Sequence, residues 1–334
     1  MAKYSSSGRI IKGVGGLYMI KLFDRDSHPL AGKTLVCRAR GVLRHNGISP
    51  LVGDAVTLSY DDSSFSYENG EPIPNEDGRG IAIEKIEERK NSLIRPPISN
   101  LDIIFAVAAA ASPAPVPETL DKLIFIAEFN GIEPVIIINK SDLDAARVRE
   151  FADIYTLAGF TVFAISAKDA ESILPLRDYI NDNLTNKTAA FAGASGVGKS
   201  TLLNALFPTL GLETGEVSRK TERGRHTTRR VELFEIPTKD GFGYIADTPG
   251  FTMLDFAEFD FFTKDDLPFT VREFRPYLGK CRYTKCTHTK EDGCAILAAV
   301  ERGEIAKSRH DSFLSIYETL KAKPAWAKTQ ETKK

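Results

Sequence analysis

The stretch "FAGASGVGKS", from Phe191 to Ser200, decides the fold of this 334-residue chain. It contains the pattern G-x-x-x-x-G-K-[ST], in which a glycine-rich loop joins a strand to a helix. An apolar segment precedes the loop and the helical segment "STLLNALF" includes its end, so the context fits phosphate binding. Lys199 is expected to meet the β- and γ-phosphates of a nucleotide, and the Ser200 hydroxyl to bind Mg²⁺. The residues expected around the phosphates are Gly193, Ala194, Ser195, Gly196, Val197, Gly198, Lys199, Ser200 and Thr201.

Two further motifs, "NKSD" and "SAK", follow apolar strand-like segments earlier in the chain. They are therefore expected at the carboxyl ends of strands, where α/β sheets bind ligands. The Asp142 carboxylate accepts from both N1–H and N2–H₂ of guanine, a pair of donors that adenine lacks. The "SAK" segment offers a backbone N–H to the guanine carbonyl, and Asn139 and Lys140 brace the loop. The residues expected around the base are Asn139, Lys140, Ser141, Asp142, Ser166, Ala167 and Lys168.

The segment "DTPG", residues 247–250, ends another predicted strand. Asp247 is expected to hold Mg²⁺ through water, and the Gly250 N–H to contact the γ-phosphate. Between the phosphate loop and this segment lies "GEVSRKTERGRHTTRR", whose Thr228 (or Thr227) completes the Mg²⁺ shell. Phe251 stands where Ras-type enzymes place a water-orienting Gln, so another group must position the water. His226 is the candidate, and the alternative is that it packs the loop or contacts RNA.

The rest of the chain divides into three parts. Residues 1–90 contain short β-rich segments that predict a small all-β barrel, with the polar stretch 61–79 as a loop. Residues 91–255 alternate strands with helices, which predicts a mainly parallel α/β sheet. Residues 256–334 are mostly helical and end in a basic tail. The barrel predicted for residues 1–90 resembles an OB-fold, whose open face and loops bind nucleic acid. The aromatic residues could instead belong to the core of the barrel. The candidate nucleic-acid-binding residues are Tyr18, Phe23, Arg38, Arg40, Arg44 and His45.

Three of the four cysteines are close together in "CRYTKCTHTKEDGC". Cysteines and histidine at this spacing predict a closed, structural Zn²⁺ site, with Cys281, Cys286, His288 and Cys294 as ligands. Chance crowding of reduced thiols is the alternative. The fourth cysteine, Cys37, lies in an alternating segment and is expected to be a buried strand residue. Basic residues surround the cluster and suit a folded RNA: Arg272, Arg275, Lys280, Arg282, Lys285 and Lys290.

The net charge of −1 is unevenly distributed along the chain. Residues 219–230 carry six Lys or Arg against one Glu, and residues 271–290 carry the same ratio. Such clusters attract polyanions, although each one alone is also compatible with ordinary solvated surface. The sequence contains no run of 18 apolar residues and no apolar core of a signal peptide near its first residues. A cytoplasmic protein without a membrane partner is therefore expected, and the protein is also expected to be a monomer.

The order "NKSD", "SAK", "GASGVGKS", "HTT" and "DTPG" resembles that of circularly permuted GTPases. With a barrel before it and a Cys/His cluster after it, nearly the whole chain is similar to the bacterial ribosome small subunit-dependent GTPase A family. The resemblance implies an α/β, circularly permuted P-loop GTPase domain between an OB-fold barrel and a small zinc-binding domain. It also points to His226 as the residue that positions water. In this chain order, "DTPG" leads directly into the cysteine-bearing region, so the γ-phosphate state is expected to act on that region.

Two functions are compatible with these motifs. In the first, the protein hydrolyses GTP to GDP and phosphate, is stimulated by the small ribosomal subunit and its rRNA, and acts in late subunit maturation. In the second, it is an rRNA-binding module that GTP or GDP switches, and hydrolysis is incidental. The Mg²⁺ ligands favour the first, whereas the missing Gln favours the second in the free protein. Asp142 disfavours a third possibility, an ATP-dependent kinase.

Overall fold

The structure is a computed structural model, and its description covers most of the chain. The described residues are 3–23, 30, 32–41, 43, 47–68, 71–75, 78–93, 96–210, 231–247 and 262–322.

A closed five-stranded barrel forms the N-terminal part of the described chain, as the sequence predicts. Its strands run in the order β1-β2-β3-β7-β4, and β4 returns to pair with β1. Alternate side chains of β4 point inwards, among them Val56, Leu58 and Tyr60, which is the pattern of a strand with one buried face. Cys37 is fully buried in β3, as expected. The strands are β1 (Lys3–Val14), β2 (Leu17–Leu22), β3 (Thr34–Ala39), β4 (Ala55–Asp61) and β7 (Ala82–Ile86).

The stretch 61–79, expected to be a loop, contains a β-hairpin instead. After a 3₁₀ turn at Asp62–Ser64, β5 (Phe65–Glu68) pairs with β6 (Glu71–Pro74). The Phe65 ring packs edge-on against Tyr60 of the barrel, with ring centroids 5.5 Å apart. This aromatic contact joins the hairpin to the barrel wall, and the turn-rich composition of the segment concealed it.

The central part is a mainly parallel sheet with helices on its faces, which confirms the predicted alternation. The strand order is β12-β11-β10-β13-β15-β14, and β14 alone in this set runs antiparallel to its neighbour. Every residue of β10 is buried, as in a strand covered on both faces. The strands are β10 (Ile103–Ala109), β11 (Glu133–Asn139), β12 (Thr161–Ala164), β13 (Thr188–Gly193), β14 (Glu232–Thr238) and β15 (Gly241–Asp247); the helices are α1 (Pro117–Phe129), α2 (Ala145–Leu157), α3 (Leu174–Asn183) and α4 (Lys199–Leu206).

The barrel and the central sheet are hydrogen-bonded to each other. β1 pairs with β14 at Lys12 and Glu232, whose side chains also form an ion pair with an N–O distance of 2.5 Å. Near this junction, Arg9 donates to the Thr188 hydroxyl at 2.7 Å, and its guanidinium lies 4.8 Å from the centre of the Tyr244 ring. Eleven strands therefore form one continuous sheet. Two short strands, β8 (Ser92–Leu93) and β9 (Ile98–Ser99), pair in the connection between the two parts.

The C-terminal part packs against helix α1 through a buried ion-pair cluster. Arg309 is 0% exposed and donates to Asp121 of α1 at 2.5 Å and to Glu273 at 2.7 Å. Tyr155 of α2 also donates to Asp121, at 2.9 Å. Burial alone would lower the pKa of Arg309, but the two facing carboxylates raise it. The elements here are α5 (Leu267–Thr270), a 3₁₀ helix (Arg272–Tyr277), α6 (Ala295–Glu301) and α7 (Lys307–Ala322).

Among the described residues, none of the helices combines the length and the apolar character that crossing a bilayer requires.

Candidate functional site

A pocket of about 170 Å³ opens where the ends of β11 and β12 meet the start of α4. The Asp142 side chain is exposed there, and its hydrogen bond with Ser166 lowers the pKa of the Asp142 carboxyl, so the group is an anion at neutral pH. Leu143, which the motifs did not single out, is 54% exposed beside it. The pocket is lined by Asn139, Lys140, Asp142, Leu143, Ser166, Ala167, Lys168, Gly198 and Thr201.

Asn139 links the three motifs that the sequence places far apart. Its side-chain amide donates to the Val197 carbonyl of the phosphate loop at 2.8 Å. Its side-chain oxygen accepts from the backbone N–H groups of Lys140 at 2.8 Å and Ala167 at 3.1 Å. The residue is 1% exposed, so water does not compete for these bonds. The loops of "NKSD" and "SAK" and the glycine-rich loop are therefore held in one fixed arrangement.

Lys140 adds a second connection to the phosphate loop. Its backbone is in the left-handed region, with φ at +59°, and its ammonium group donates to the Gly196 carbonyl at 2.8 Å. The same ammonium group donates to the carbonyl of Ser112, in the loop that precedes α1. Ser112 belongs to no motif, and a backbone acceptor leaves no signal in a single sequence.

The phosphate loop reaches α4 through Gly198, which must be a glycine here. Its φ is +95°, and a Cβ atom would lie 2.4 Å from the Asn139 amide nitrogen. Lys199 begins the helix and donates to the carbonyls of Gly193 at 2.8 Å and Ala194 at 2.9 Å. Burial lowers the pKa of Lys199 to about 8. The ammonium group thus donates to backbone carbonyls of its own loop.

The expected Mg²⁺ ligands and the expected catalytic group are only partly described. Ser200 lies in the first turn of α4, and Asp247 is the last residue of β15. Both positions fit the predicted elements. His226, Thr227, Thr228 and Gly250 lie outside the described residues, as does Phe251.

The four predicted metal ligands come together in the C-terminal part. The donor atoms of Cys281, Cys286, His288 and Cys294 all lie within 4.8 Å of one another. The His288 Nδ1 atom is 3.5 Å from the sulfur atoms of Cys281 and Cys294, and these sulfurs are 3.9 Å apart. A tetrahedral zinc ion about 2.3 Å from sulfur and about 2.0 Å from nitrogen requires separations of roughly 3.5–3.8 Å. The cluster is therefore able to hold a metal ion, and Nδ1 is the nitrogen that faces it.

Glu291 organises the loop between these ligands. Its carboxylate accepts from the Thr287 N–H at 2.8 Å, the Thr289 N–H at 3.0 Å and the Lys290 N–H at 3.1 Å, and also from the Thr287 hydroxyl. Burial opposes ionisation, but these hydrogen bonds lower the pKa of Glu291 to about 2. Glu291 could not be identified from the sequence, because an acidic residue in a polar turn carries no signal without its contacts.

The basic residues around the cluster fall into two groups. Arg272 donates to Glu128 at 2.7 Å and to Glu133 at 2.8 Å, and Arg275 also binds Glu128, so these two attach the region to α1. The others are exposed beside the metal ligands: Lys280, Arg282, Lys285 and Lys290. In the barrel, Arg40 forms an ion pair with Glu84 at 3.2 Å, and Arg44 and His45 lie outside the described residues.

Comparison with known families and proteins gives concordant matches. The profile of the RsgA GTPase family matches residues 86–257, and that of the RsgA N-terminal domain matches residues 7–67. The small ribosomal subunit biogenesis GTPase RsgA of Bacillus subtilis (strain 168) is 37% identical over 319 residues, which span 94% of this chain and 97% of that protein. The protein of the same name from Ruminiclostridium cellulolyticum is 36% identical, over 96% of this chain and 95% of its own length.

Two crystal structures share the fold. YjeQ from Thermotoga maritima has a TM-score of 0.75 and 29% identity, and the match covers 96% of this chain and all of that one. YloQ, described as a circularly permuted GTPase, has a TM-score of 0.71 and 33% identity, with 96% and 97% of the two chains covered. The permuted fold predicted from the motif order is thereby confirmed.

Proposed function

This chain belongs to the RsgA GTPase family and is a GTP hydrolase, and we propose that it binds the small ribosomal subunit and acts in its late maturation. The relatives named as small ribosomal subunit biogenesis GTPases support this proposal. One observation in the structure supports the proposal that the pocket binds a guanine nucleotide. Asn139 bonds both to the phosphate loop and to the loop of Ala167, so a single rigid pocket offers contacts to a base and to phosphates.

We infer the following roles for the pocket residues. Asp142, ionised and exposed, accepts from the two guanine donors, and the "SAK" segment, residues 166–168, supplies a backbone N–H to the guanine carbonyl. On GTP binding, Lys199 exchanges the carbonyls of Gly193 and Ala194 for phosphate oxygens and stabilises the charge that develops on transfer. Mg²⁺ would enter with the nucleotide, held by Ser200, Asp247 and Thr228 or Thr227, and would neutralise the phosphate charge.

We propose that His226 positions the attacking water. The proposal rests on the sequence, because Phe251 offers no group that orients water and His226 lies in a segment rich in Arg and Gly. The neighbouring Arg223, Arg225, Arg229 and Arg230 give this segment affinity for RNA phosphates. Binding to the subunit would then fix the imidazole within hydrogen-bond reach of the water, which is expected to raise turnover by on the order of 10²-fold or more.

The test measures GTP turnover at saturating GTP while the concentration of small subunits is varied. His226→Ala should lower the maximal stimulated rate and leave the half-saturating subunit concentration nearly unchanged. The adjacent Arg225→Ala is the matched control, since losing one phosphate contact should raise the half-saturating concentration and spare the maximal rate. Equal maximal stimulation in wild type and His226→Ala would remove His226 from the mechanism. If small subunits do not stimulate GTP turnover even in the wild type, the result would favour the alternative function, an rRNA-binding module that GTP or GDP switches.

For the Cys/His cluster we propose one structural zinc ion. Three thiolate sulfurs and one imidazole nitrogen form a complete tetrahedral set that leaves no position for a reactive water. The exposed Lys280, Arg282, Lys285 and Lys290 around it, with Tyr283 50% exposed among them, suit rRNA phosphates and bases. Elemental analysis of the purified protein tests the metal, and a content far below one zinc per chain would refute it.

We further propose the division into a barrel at 1–90, a permuted GTPase domain at 91–255 and a zinc-binding domain at 256–334. We also propose that the protein is a monomer and works in the cytoplasm, together with its proposed partner, the small ribosomal subunit. Sedimentation of the free protein, and of its complex with small subunits, tests the monomeric state.

A further inference from the structure

His288 occupies an unusual backbone conformation for a metal ligand. Its φ is +60°, in the left-handed region that residues other than glycine avoid because Cβ comes too close to a carbonyl oxygen. The residue is 6% exposed. Something other than local preference must therefore hold this backbone in place, and two residues that are not ligands make the relevant contacts.

Glu291 holds the loop from within. Its carboxylate accepts from the N–H groups of Thr287 and Thr289, which flank His288, and from that of Lys290. Three backbone donors around one anion, one before His288 and two after it, fix the path of the chain on both sides of the ligand. The backbone of Glu291 contributes as well, because its carbonyl accepts from the N–H of Cys294, another ligand, at 3.2 Å.

His310 holds the loop from outside. Its Nε2 atom lies 2.9 Å from the carbonyl oxygen of His288 and donates to it, since a carbonyl can only accept. The imidazole is 4% exposed and packs against Phe313 and Phe274, with ring centroids 5.8 and 6.2 Å away. The next residue towards the N-terminus, Arg309, is bound to Asp121 and Glu273. His310 is thus presented by a helix that is itself firmly anchored.

We propose that Glu291 and His310 are positioning residues of the metal centre, which keep His288 in its ligating conformation and so slow the loss of the ion. This inference rests on the zinc centre proposed above. Residues that orient metal ligands typically change metal affinity by about 10–100-fold when replaced. Neither residue touches the metal in this scheme; each acts through the backbone of the loop.

The experiment follows zinc transfer from the full-length, zinc-loaded protein to an excess of a chromophoric chelator. Glu291→Gln removes the anion at constant size, and His310→Phe keeps the ring stacking but removes the donor. Each should release zinc about tenfold or more faster than the wild type. The control is Glu304→Gln, which changes an exposed carboxylate bound by Arg302 and Tyr277 and should release zinc at the wild-type rate. GTP affinity should be the same in all four proteins.

Two further measurements distinguish the positioning of His288 from a general loss of stability and from direct electrostatic attraction between Glu291 and the ion. The tetrahedral Co²⁺ spectrum should change in both variants, which a general loss of stability would not cause. Attraction between Glu291 and the cation across space would fade in 1 M salt, whereas an effect through the loop should persist. If Glu291→Gln does not fold, the rate of zinc release from His310→Phe alone tests the positioning role. Zinc release within twofold of wild type in both variants would overturn the positioning role, whereas absence of zinc from the wild type would overturn the metal centre itself.

Discussion

In the proposed site, Asp142 determines the selectivity for guanine. Asp142→Asn should weaken GTP binding by about 10–100-fold, because a charge-assisted pair of hydrogen bonds is lost, and should shift preference towards XTP. Titration of both nucleotides by fluorescence measures this. Asp144→Asn is the matched control, because Asp144 caps α2 by accepting from the Arg147 N–H at 2.9 Å and should not affect base preference. Unchanged GTP affinity in the first variant would mean that "NKSD" does not read the base.

Lys199 should make GTP affinity depend on pH. In the free protein burial lowers the pKa of Lys199 to about 8, whereas bound phosphates raise it again. Below that pH the ammonium form is already present, and above it binding must first take up a proton. Affinity should therefore be constant at lower pH and about tenfold weaker at pH 9 than at pH 7.

Calorimetric titration between pH 7 and 9 checks this dependence on Lys199. Lys199→Arg keeps its charge throughout that range and should show a flat profile, whatever its absolute affinity. The same slope in both proteins would assign the titration to another group, such as the guanine base.

Arg309 joins helix α7 to Asp121 of α1 through a buried ion pair. Arg309→Met would leave Asp121 and Glu273 as buried carboxylates without a cation, and should lower the free energy of unfolding by about 3–5 kcal/mol. Urea denaturation followed by circular dichroism measures the change. On the same helix, Lys307→Met removes an exposed pair with Asp311 and should cost less than about 1 kcal/mol. If the two losses are equal, the buried cluster does not anchor α7.

The elements that could be predicted are those whose signal is local in the sequence. The phosphate loop, "NKSD" and the cysteine cluster each lie within a few consecutive residues, and the burial of β10 follows from its unbroken apolar run. The contacts that join elements could not be predicted in this way. Arg309 and Asp121 are 188 residues apart and Lys12 and Glu232 are 220 apart, and nothing in a single sequence marks them as partners.

The candidate site shows the same division. The motifs contain most of the residues that line the described pocket, because they lie at the same edge of the sheet. They did not predict the Ser112 carbonyl that binds Lys140, or the Glu291 carboxylate that shapes the metal loop. These contacts depend on backbone atoms and loop conformation, which tertiary structure determines.

For the molecule as a whole, the four cysteines should react in two separate stages. With zinc bound, no thiol should react rapidly with an aromatic disulfide reagent. After chelation of the metal, Cys281, Cys286 and Cys294 should react. Cys37 is 0% exposed and burial raises its pKa to about 12, so it should react only after unfolding. A count of zero, three and four thiols in these states would support both the metal centre and the barrel core. Rapid reaction of three thiols before chelation would contradict the zinc site.

The long separation between Asp121 and Arg309 has a consequence for the protein during its synthesis. Chains fold from the N-terminus as they are made, so the barrel and α1 emerge well before Arg309, the cation that pairs with Asp121. A chain that terminates before Arg309 keeps the hydrogen bond from Tyr155 to Asp121 but has no cation beside this carboxylate. Translation through α7, which ends at Ala322, supplies both the cation and the helix that bury it. Truncated products should therefore open readily and be removed by cellular proteases, which leaves complete chains as the species that accumulates.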